Sequence, residues 1–265
     1  MTTENKPVTE KEKKKRNILK KILITAGALL AAALFFVVFY CCLSYYRGKN
    51  NTRSLKEYAA LYPGLSVDVL SDKTVVLSSG DPSSDLHTGI IMNQGAFIPE
   101  GSYIPVMAGL AEKGYTCFLP HHPLNFAILG NEIMEKIRED NPQIKKWYIA
   151  GHSMGGSMAL EDVLEHPETF SGLIFMGSFA DRDITGAGVP VLLLFAENDG
   201  VCVYEAHKKY RVNCPADTEE YVIAGGNHAG FGDYKKQMFD GEASITTEEQ
   251  HRKVDEILLD WIGRH

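Results

Sequence analysis

The sequence predicts an α/β domain with a doubly wound, mostly parallel sheet, preceded by one transmembrane helix. Short runs with the composition of β-strands alternate with segments of helical spacing through most of the chain after residue 65. Some runs, Val189–Ala196 above all, are continuously apolar, which is typical of strands buried on both faces of a parallel sheet. An uncharged apolar stretch near the N-terminus has the length of a membrane span. A chain of 265 residues is long enough for one such domain and an appendage.

The N-terminal apolar run, Ile22–Leu43, is predicted to be an uncleaved membrane anchor. Its 22 residues reach about 33 Å as a helix, enough for a hydrocarbon core of about 30 Å. The apolar region of a cleaved signal peptide is shorter, about 7–15 residues, and ends at small residues. Here the small residues Ala31–Ala33 lie in the middle of the run, and tyrosine and cysteine stand near its end.

Flanking charges predict the orientation of the anchor. Seven cations precede the run and four follow it, which favours a cytoplasmic N-terminus and an extracytoplasmic domain. The cations are Lys11, Lys13, Lys14, Lys15, Arg16, Lys20 and Lys21 before the run, and Arg47, Lys49, Arg53 and Lys56 after it. The expected organisation is a basic cytoplasmic tail (1–21), a transmembrane anchor (22–43), a linker (44–65) and the α/β domain (66–265).

The charge distribution bears on the binding partner, and the cysteine positions bear on disulfide formation. The first 46 residues carry a net charge of +5 and the remainder −12, and an acidic body without a basic stripe argues against nucleic acid. Cys202 and Cys214 flank a predicted short helix that would hold them about 12 Å apart. A disulfide needs Cα atoms within about 7 Å, so this pairing is disfavoured.

Eight strands and six helices are expected after the anchor. The first two strands are too close for a crossover and are expected to pair antiparallel at one edge, whereas the later alternation predicts right-handed βαβ units. The predicted strands are 66–70, 74–78, 89–92, 115–119, 147–150, 172–175, 189–196 and 219–223. The predicted helices are 55–61, 103–113, 127–141, 154–166, 203–210 and 248–264.

The segment WYIAGHSMGGSMALEDVLEHP predicts a nucleophile elbow. Its G-x-S-x-G pattern is formed by Gly151, Ser153 and Gly155, between a buried strand and a helix. The tight turn needs glycines two positions either side of the serine, because side chains there would make strand and helix collide. Ser153 would stand at a helix N-terminus, where free N–H groups and the dipole favour a developing negative charge.

A serine nucleophile needs a base and an acid that orients the base, in the chain order Ser, Asp or Glu, His. Asp199 follows the strongest buried strand and is the preferred acid, with Glu197 as the alternative. Among nine histidines, His228 is the preferred base because it lies in a glycine-rich loop between the last strand and the last helix. Both loops would leave the sheet at the edge where the elbow lies.

The oxyanion hole is expected to use backbone N–H groups. Met154 follows the nucleophile and is the first donor. The second comes from the loop after the strand at 89–92, with Ala96 preferred and Phe97 next.

The pieces QGAFIPEGSYIPVMAGLAEKGY, PHHPLNFAI, GHSMGG, FAENDG and GGNHAGFGDY together resemble the α/β-hydrolase fold-5 family, a dienelactone-hydrolase-like group. The resemblance covers about residues 66–265 and implies an α/β-hydrolase fold with Ser153, Asp199 and His228 as its triad. Dienelactone hydrolases use a cysteine nucleophile, whereas this chain has Ser153.

Only residues 176–188 separate the sixth and seventh predicted strands, too few for the helical lid of lipases, so no lid domain and an open, shallow site are expected. His121, Asn125, Phe231 and Tyr234 are the candidates for contact with substrate. His121 and His122 lack a third ligand at suitable spacing, so no metal is expected, and no cofactor either.

The leading hypothesis is a serine hydrolase that cleaves a small-molecule ester or thioester through an acyl-enzyme on Ser153. Two alternatives stay open: an acyltransferase that uses the same triad, and a non-catalytic, membrane-tethered binding protein of the same fold.

Overall fold

The computed structural model describes residues 10–51, 53–235 and 237–265. The chain divides into two compact units, one ending at Tyr46 and one extending from Arg47 to His265. The described part contains seven α-helices and eight strands, joined by several short 3-10 turns. The helices are α1 Glu10–Asn51, α2 Leu55–Leu61, α3 Ile104–Glu112, α4 Asn131–Asp140, α5 Met154–Glu165, α6 Tyr204–His207 and α7 Thr247–Arg264. The strands are β1 Leu65–Val69, β2 Val75–Ser79, β3 Thr88–Asn93, β4 Thr116–Leu119, β5 Lys146–His152, β6 Gly172–Met176, β7 Val191–Ala196 and β8 Glu219–Ile223.

Most of helix α1 lies in the N-terminal unit, and the helix is longer than the predicted anchor. Within it, Ile18–Tyr40 is long and apolar enough to cross a membrane, and none of it is buried in the protein. The helix continues to Asn51, so residues 44–51, assigned to the linker from the sequence, are helical. Residues 1–9 of the predicted tail lie outside the described residues. Over this span the helix has apolar side chains all round.

The second unit is built on one eight-stranded sheet in the order β1-β2-β4-β3-β5-β6-β7-β8. Strands β3 to β8 run parallel to one another, whereas β1 pairs antiparallel with β2, and β2 antiparallel with β4. This confirms the predicted mostly parallel sheet and the antiparallel pair at one edge. Every predicted strand is present, with ends within two residues of those expected.

Alternate residues of the central strands feed two separate cores. On β7, Leu192 and Leu194 pack into one hydrophobic cluster, while Leu193 and Phe195 pack into the other. Helices α3 and α7 cover the first face, and α4 and α5 cover the second. A strand whose two faces are both covered cannot alternate apolar with polar residues, which explains the continuous apolar run.

Two helices are shorter than predicted. The segment predicted as one helix from residue 127 begins with a 3-10 turn at Ala127–Leu129, and α4 starts only after Gly130. The segment at 203–210 forms one α-helical turn followed by a 3-10 turn, Lys208–Asn213. The guanidinium of Arg211 in that turn donates to carbonyls of the loop before β8, a tertiary contact that local spacing does not encode.

The parallel strands place the candidate site at one edge. Since β3 to β8 all point the same way, the loops that follow them meet at the carboxyl edge of the sheet, where ligands bind in open α/β folds. The connection from β6 to β7, residues 177–190, contains no helix and no strand.

Candidate active site

Ser153 is held on a sharp turn between β5 and α5. Its backbone has φ 54° and ψ −122°, a conformation that costs free energy in a residue other than glycine. A Cβ atom at Gly151 would overlap the carbonyl of Gly155, and one at Gly155 would overlap the carbonyl of Asn93. The two glycines therefore let the turn close and let the helix approach the end of β3.

Asp199 and His228 form a buried pair. The Nδ1–H of His228 donates to Asp199 Oδ2 at 2.7 Å, and both side chains are completely buried. The other carboxylate oxygen of Asp199 accepts the N–H groups of Val201 at 2.8 Å and Cys202 at 2.6 Å. With its Nδ1 donating, the neutral imidazole of His228 presents a lone pair at Nε2.

Nε2 of His228 is buried and has no hydrogen-bond partner among the described residues. In the described residues no hydrogen bond joins this nitrogen to Ser153. The His228 ring is nevertheless close to the elbow, because it stands 4.5 Å from the ring of His152, the residue before the serine. Unpaired buried nitrogens are uncommon, and catalytic hydrogen bonds often tighten only when substrate is bound. The arrangement leaves this nitrogen available to a hydroxyl proton.

Glu197, the alternative acid, is directed elsewhere. Its Oε2 accepts the N–H of Gly225 at 2.7 Å, and the residue is exposed. Asp199 is therefore the carboxylate that contacts His228.

Asp240 fixes the loops that carry the pair, and the sequence did not single it out. Its carboxylate accepts the N–H groups of His228 at 3.1 Å, Ala229 at 2.8 Å, Gly200 at 3.3 Å and Gly241 at 2.9 Å. One buried side chain thus joins the loop after β7 to the loop after β8. No local motif marks this aspartate, because its partners lie up to 40 residues away.

Two free backbone donors lie near the serine. The N–H groups of Met154 and Ala96 find no acceptor among the described residues. The collision that a Cβ of Gly155 would make with Asn93 and Gln94 shows that the loop after β3 packs on the start of α5. Phe97, the other expected donor, has its N–H bound to the carbonyl of Asn125 at 2.6 Å.

Tyr103 connects the loop after β3 to the elbow. Its hydroxyl accepts the N–H of Gly95 at 2.8 Å and lies 2.8 Å from Nδ1 of His152. The hydroxyl therefore joins the loop after β3 to the imidazole of His152. Burial, and then the nearby His228, lower the pKa of His152 well below 6.5, so His152 is neutral at pH 7. Tyr103 was not identified from the sequence, since nothing local distinguishes it from other core tyrosines.

The comparison with known families agrees with this geometry. Residues 89–252 match the model of the alpha/beta hydrolase family, which is more than half of the chain. The chain belongs to the alpha/beta hydrolase family.

Solved structures share the fold of this alpha/beta hydrolase. A predicted CIB-like hydrolase from Thermoplasma acidophilum is 16% identical, with a TM-score of 0.56 over 76% of this chain and 100% of that one. Naproxen esterase (carboxylesterase NP) from Bacillus subtilis is 15% identical, with a TM-score of 0.57 over 83% and 97%. A membrane phospholipase A, described as a bacterial virulence factor, is 13% identical, with a TM-score of 0.57 over 93% and 100%. At these identities the likeness shows the fold alone. No curated protein matches the sequence.

The four residues expected to contact substrate in this hydrolase differ in burial and in the residues that they contact. His121 is half-buried and pairs with Glu100 at 3.1 Å. Asn125 is buried and supports Phe97 through its carbonyl. Tyr234 is half-buried, with its ring 6.3 Å from that of His152. Phe231 is completely buried and packs in the core beside the ring of His152.

The residues around the candidate site are more enclosed than the open, shallow site expected from the sequence. His122 is buried, with Nε2 3.4 Å from the side-chain oxygen of Asn93. Its burial, with His121 alongside, lowers the pKa of His122 to about 4. Of the three triad candidates, Ser153 is half-buried while Asp199 and His228 are enclosed. Access to the base therefore passes between the loops of the carboxyl edge.

Proposed function

We propose that the protein is a serine hydrolase that cleaves a carboxylic ester or thioester through an acyl-enzyme on Ser153. The observation that carries the proposal is the buried Asp199–His228 pair: Nε2 of His228 is free, and the His228 ring stands 4.5 Å from that of His152, the residue before the strained elbow serine. Strained backbone conformations of this kind are concentrated at functional sites. They persist only where the surrounding structure holds them in place.

In the proposed reaction, Ser153 Oγ attacks the substrate carbonyl carbon while His228 Nε2 takes the hydroxyl proton. The negative charge that forms on the carbonyl oxygen is stabilised by the N–H groups of Met154 and Ala96. The bond to the leaving alcohol or thiol then breaks, and His228 returns the proton to it. A water molecule then attacks the acyl-enzyme by the same two steps, which releases the carboxylic acid and restores Ser153.

Throughout the cycle, Asp199 would stabilise the imidazolium of His228. The carboxylate is held by two backbone N–H groups as well as by the imidazole, so it stays in place as the charge on the ring changes. The desolvated surroundings strengthen this interaction relative to water.

Esters are the preferred substrate class. Among the structural neighbours, the naproxen esterase, the carboxylesterase CesB of Bacillus subtilis and the membrane phospholipase A are all named for ester hydrolysis. A small molecule with an acyl ester is thus the proposed partner, with no role for nucleic acid.

Labelling with a fluorophosphonate probe tests the nucleophile. We expect the wild type to be labelled and to hydrolyse p-nitrophenyl butyrate, and Ser153→Ala to lose both without a change in thermal unfolding. Ser157→Ala, one helical turn further along α5, is the matched control and should keep both. Labelling of Ser153→Ala at the wild-type level would contradict the assignment. Failure of the wild type to react at all would favour a non-catalytic binding protein.

For the N-terminal unit we propose a single-pass anchor with the hydrolase unit on the extracytoplasmic face. Support comes from the fully exposed apolar surface of Ile18–Tyr40 and from the excess of cations before it. The full chain should stay in the membrane after a high-salt wash, and protease added to spheroplasts should cut between residues 47 and 56. Cleavage only after membrane rupture would reverse the orientation, and a mature N-terminus beyond residue 43 would indicate a signal peptide.

A further inference from the structure

Exposed apolar side chains gather on the loops around the candidate active site. On one side of the elbow they form what we call the oxyanion-side patch: Leu124, Ile128 and Leu129. On the other they form the base-side patch: Val201, Val203, Met238 and Phe239. All seven side chains are exposed, with Phe239 at 81% and Leu124 at 63%. Contiguous exposed apolar surface on a folded domain commonly marks an interaction site.

The sheet order places the two patches on opposite sides of Ser153. The oxyanion-side patch lies in the segment after β4 and the base-side patch in the segments after β7 and β8, while the elbow follows β5. Strand β4 is two positions from β5 in one direction and β7 two positions in the other. At about 4.8 Å between neighbouring strands, β4 and β7 each lie roughly 10 Å from β5, the strand that leads to Ser153.

Contacts with the active-site loops hold each patch in position. The backbone at Phe239 lies against Gly200, and the next residue, Asp240, bonds the backbone of both triad loops. Phe239 itself has φ +69°, an unfavourable conformation for an exposed aromatic residue, so the fold maintains its outward position at a cost. On the other side, the Phe126 ring stacks on Phe97 at 5.1 Å, which ties the oxyanion-side patch to the loop that carries Ala96.

The chain itself indicates what covers this surface. Its second unit is linked to a helix with an exposed apolar span that is long enough to cross a bilayer, and that we propose as the anchor. From Tyr40, the last residue of the span, to Leu55 the chain can reach at most about 31 Å: about 17 Å along the helix to Asn51, and about 14 Å for four chain steps from Asn51 to Leu55 at their maximum length. The hydrolase unit is therefore confined close to a membrane surface. Its net charge excludes strong attraction to anionic headgroups, so contact with lipid has to come from apolar side chains.

We infer that the two patches dock on the bilayer in which α1 is anchored, and that the substrate is a lipid of that bilayer bearing a carboxylic acyl ester. The inference about substrate rests on the proposed ester hydrolysis, and the docking rests on the proposed anchor but not on that chemistry. The acyl chain would pass from the bilayer between the patches to Ser153, and its apolar surface would stay covered on the way.

Tryptophan fluorescence of the full-length chain in lipid vesicles tests the docking. The two native tryptophans, Trp147 and Trp261, are buried, so a tryptophan placed at Phe239 reports on its own surroundings. Val212 is the matched control site, since it is 78% exposed but lies near Val189 and Pro190, at the opposite edge of the sheet. In vesicles of phosphatidylcholine and phosphatidylglycerol, F239W should emit at shorter wavelength and be quenched by a phosphatidylcholine brominated near the top of its acyl chain. V212W should show neither effect.

Kinetics test the substrate class in the same vesicles. Wild-type protein should release fatty acid from vesicle phospholipid or diacylglycerol and should also hydrolyse soluble p-nitrophenyl butyrate. In the double variant Phe239→Ser with Leu124→Ser, the ratio of vesicle to soluble activity should fall roughly tenfold, since partition of the apolar patches into lipid is lost. A defect in the triad would lower both activities together and leave the ratio unchanged. Val212→Ser should keep both.

The outcomes separate the inference from the proposed function. Equal emission and quenching of F239W and V212W would overturn the docking, and a blue shift of F239W without quenching by the brominated lipid would point to a protein or a second copy on this face. Hydrolysis of the soluble ester with no fatty acid released from any vesicle would overturn the lipid substrate alone. If neither ester is cleaved and the fluorophosphonate does not react, the proposed function fails, while the fluorescence still decides the docking.

Discussion

On the acid–base side of the candidate site nearly every polar group is paired, whereas on the nucleophile side the important donors are free. Asp199 and Asp240 together accept hydrogen bonds from six backbone N–H groups and from His228. Across the site, the N–H groups of Met154 and Ala96 have no acceptor among the described residues. The difference indicates a division of roles: one side must hold an imidazole in a fixed orientation, while the other must keep donors ready for a charge that appears only during reaction.

The largest expected effect comes from breaking the buried pair. Asp199→Asn should lower kcat on the order of 10⁴-fold, because an amide no longer stabilises the imidazolium or its Nδ1–H tautomer. Glu197→Gln is the matched control, since that carboxylate contacts Gly225 instead, and it should keep near-wild-type kcat. Steady-state rates on p-nitrophenyl butyrate measure both. A greater loss in the Glu197 variant would transfer the acid role to Glu197.

A smaller effect is expected from replacing Asp240, which supports the Asp199–His228 pair. Asp240→Asn leaves one acceptor oxygen where a carboxylate serves four N–H groups, so buried donors lose their partner. The unfolding free energy should fall by about 2 kcal/mol and kcat should fall with it. Urea titration and kinetics measure the two changes. If stability and kcat are both unchanged, the acid–base side does not depend on Asp240.

The nucleophile side should show its own pH dependence. Burial lowers the pKa of His122 to about 4, whereas it is about 6.5 in the unfolded chain. Between about pH 4 and pH 6.5, His122 is therefore protonated in the unfolded state and neutral in the folded state. Its contribution to stability is complete above pH 6.5 and is lost as pH falls, by about 1.4 kcal/mol per pH unit down to about pH 4. In His122→Gln the decline in unfolding free energy between about pH 6.5 and 5 should be shallower than in the wild type. Equal slopes would show that His122 is not protonated on unfolding.

The smallest expected effect sharpens the contrast between the two sides. Tyr103→Phe removes the acceptor of Gly95 N–H and the partner of His152 Nδ1, and so loosens the loop that carries the Ala96 donor. We expect kcat to fall about tenfold with KM unchanged, since the oxyanion forms only in the transition state. Affinity for a boronic acid that mimics the tetrahedral state should fall by the same factor. A change in KM alone would indicate that Tyr103 acts on substrate binding instead.

Sequence reasoning succeeded wherever the signal was local. The order of strands and helices follows from apolar periodicity, and the elbow follows from glycines two residues either side of a serine. It succeeded less well where neighbours decide the outcome: the helix predicted from residue 127 starts only after Gly130, and the expected linker at 44–51 continues α1.

What the sequence determined by itself is the arrangement of elements that brings Ser153, Asp199 and His228 to one edge of a parallel sheet, because strand direction fixes where the loops emerge. Only the tertiary structure decided which backbone amides near the serine stay free. By sequence Phe97 was the next choice of donor after Ala96, but its N–H is bound by the carbonyl of Asn125, from the loop after a neighbouring strand. Asp240 and Tyr103 matter for the same reason. Whether a polar group is paired depends on partners that are distant in the chain, and no local pattern records them.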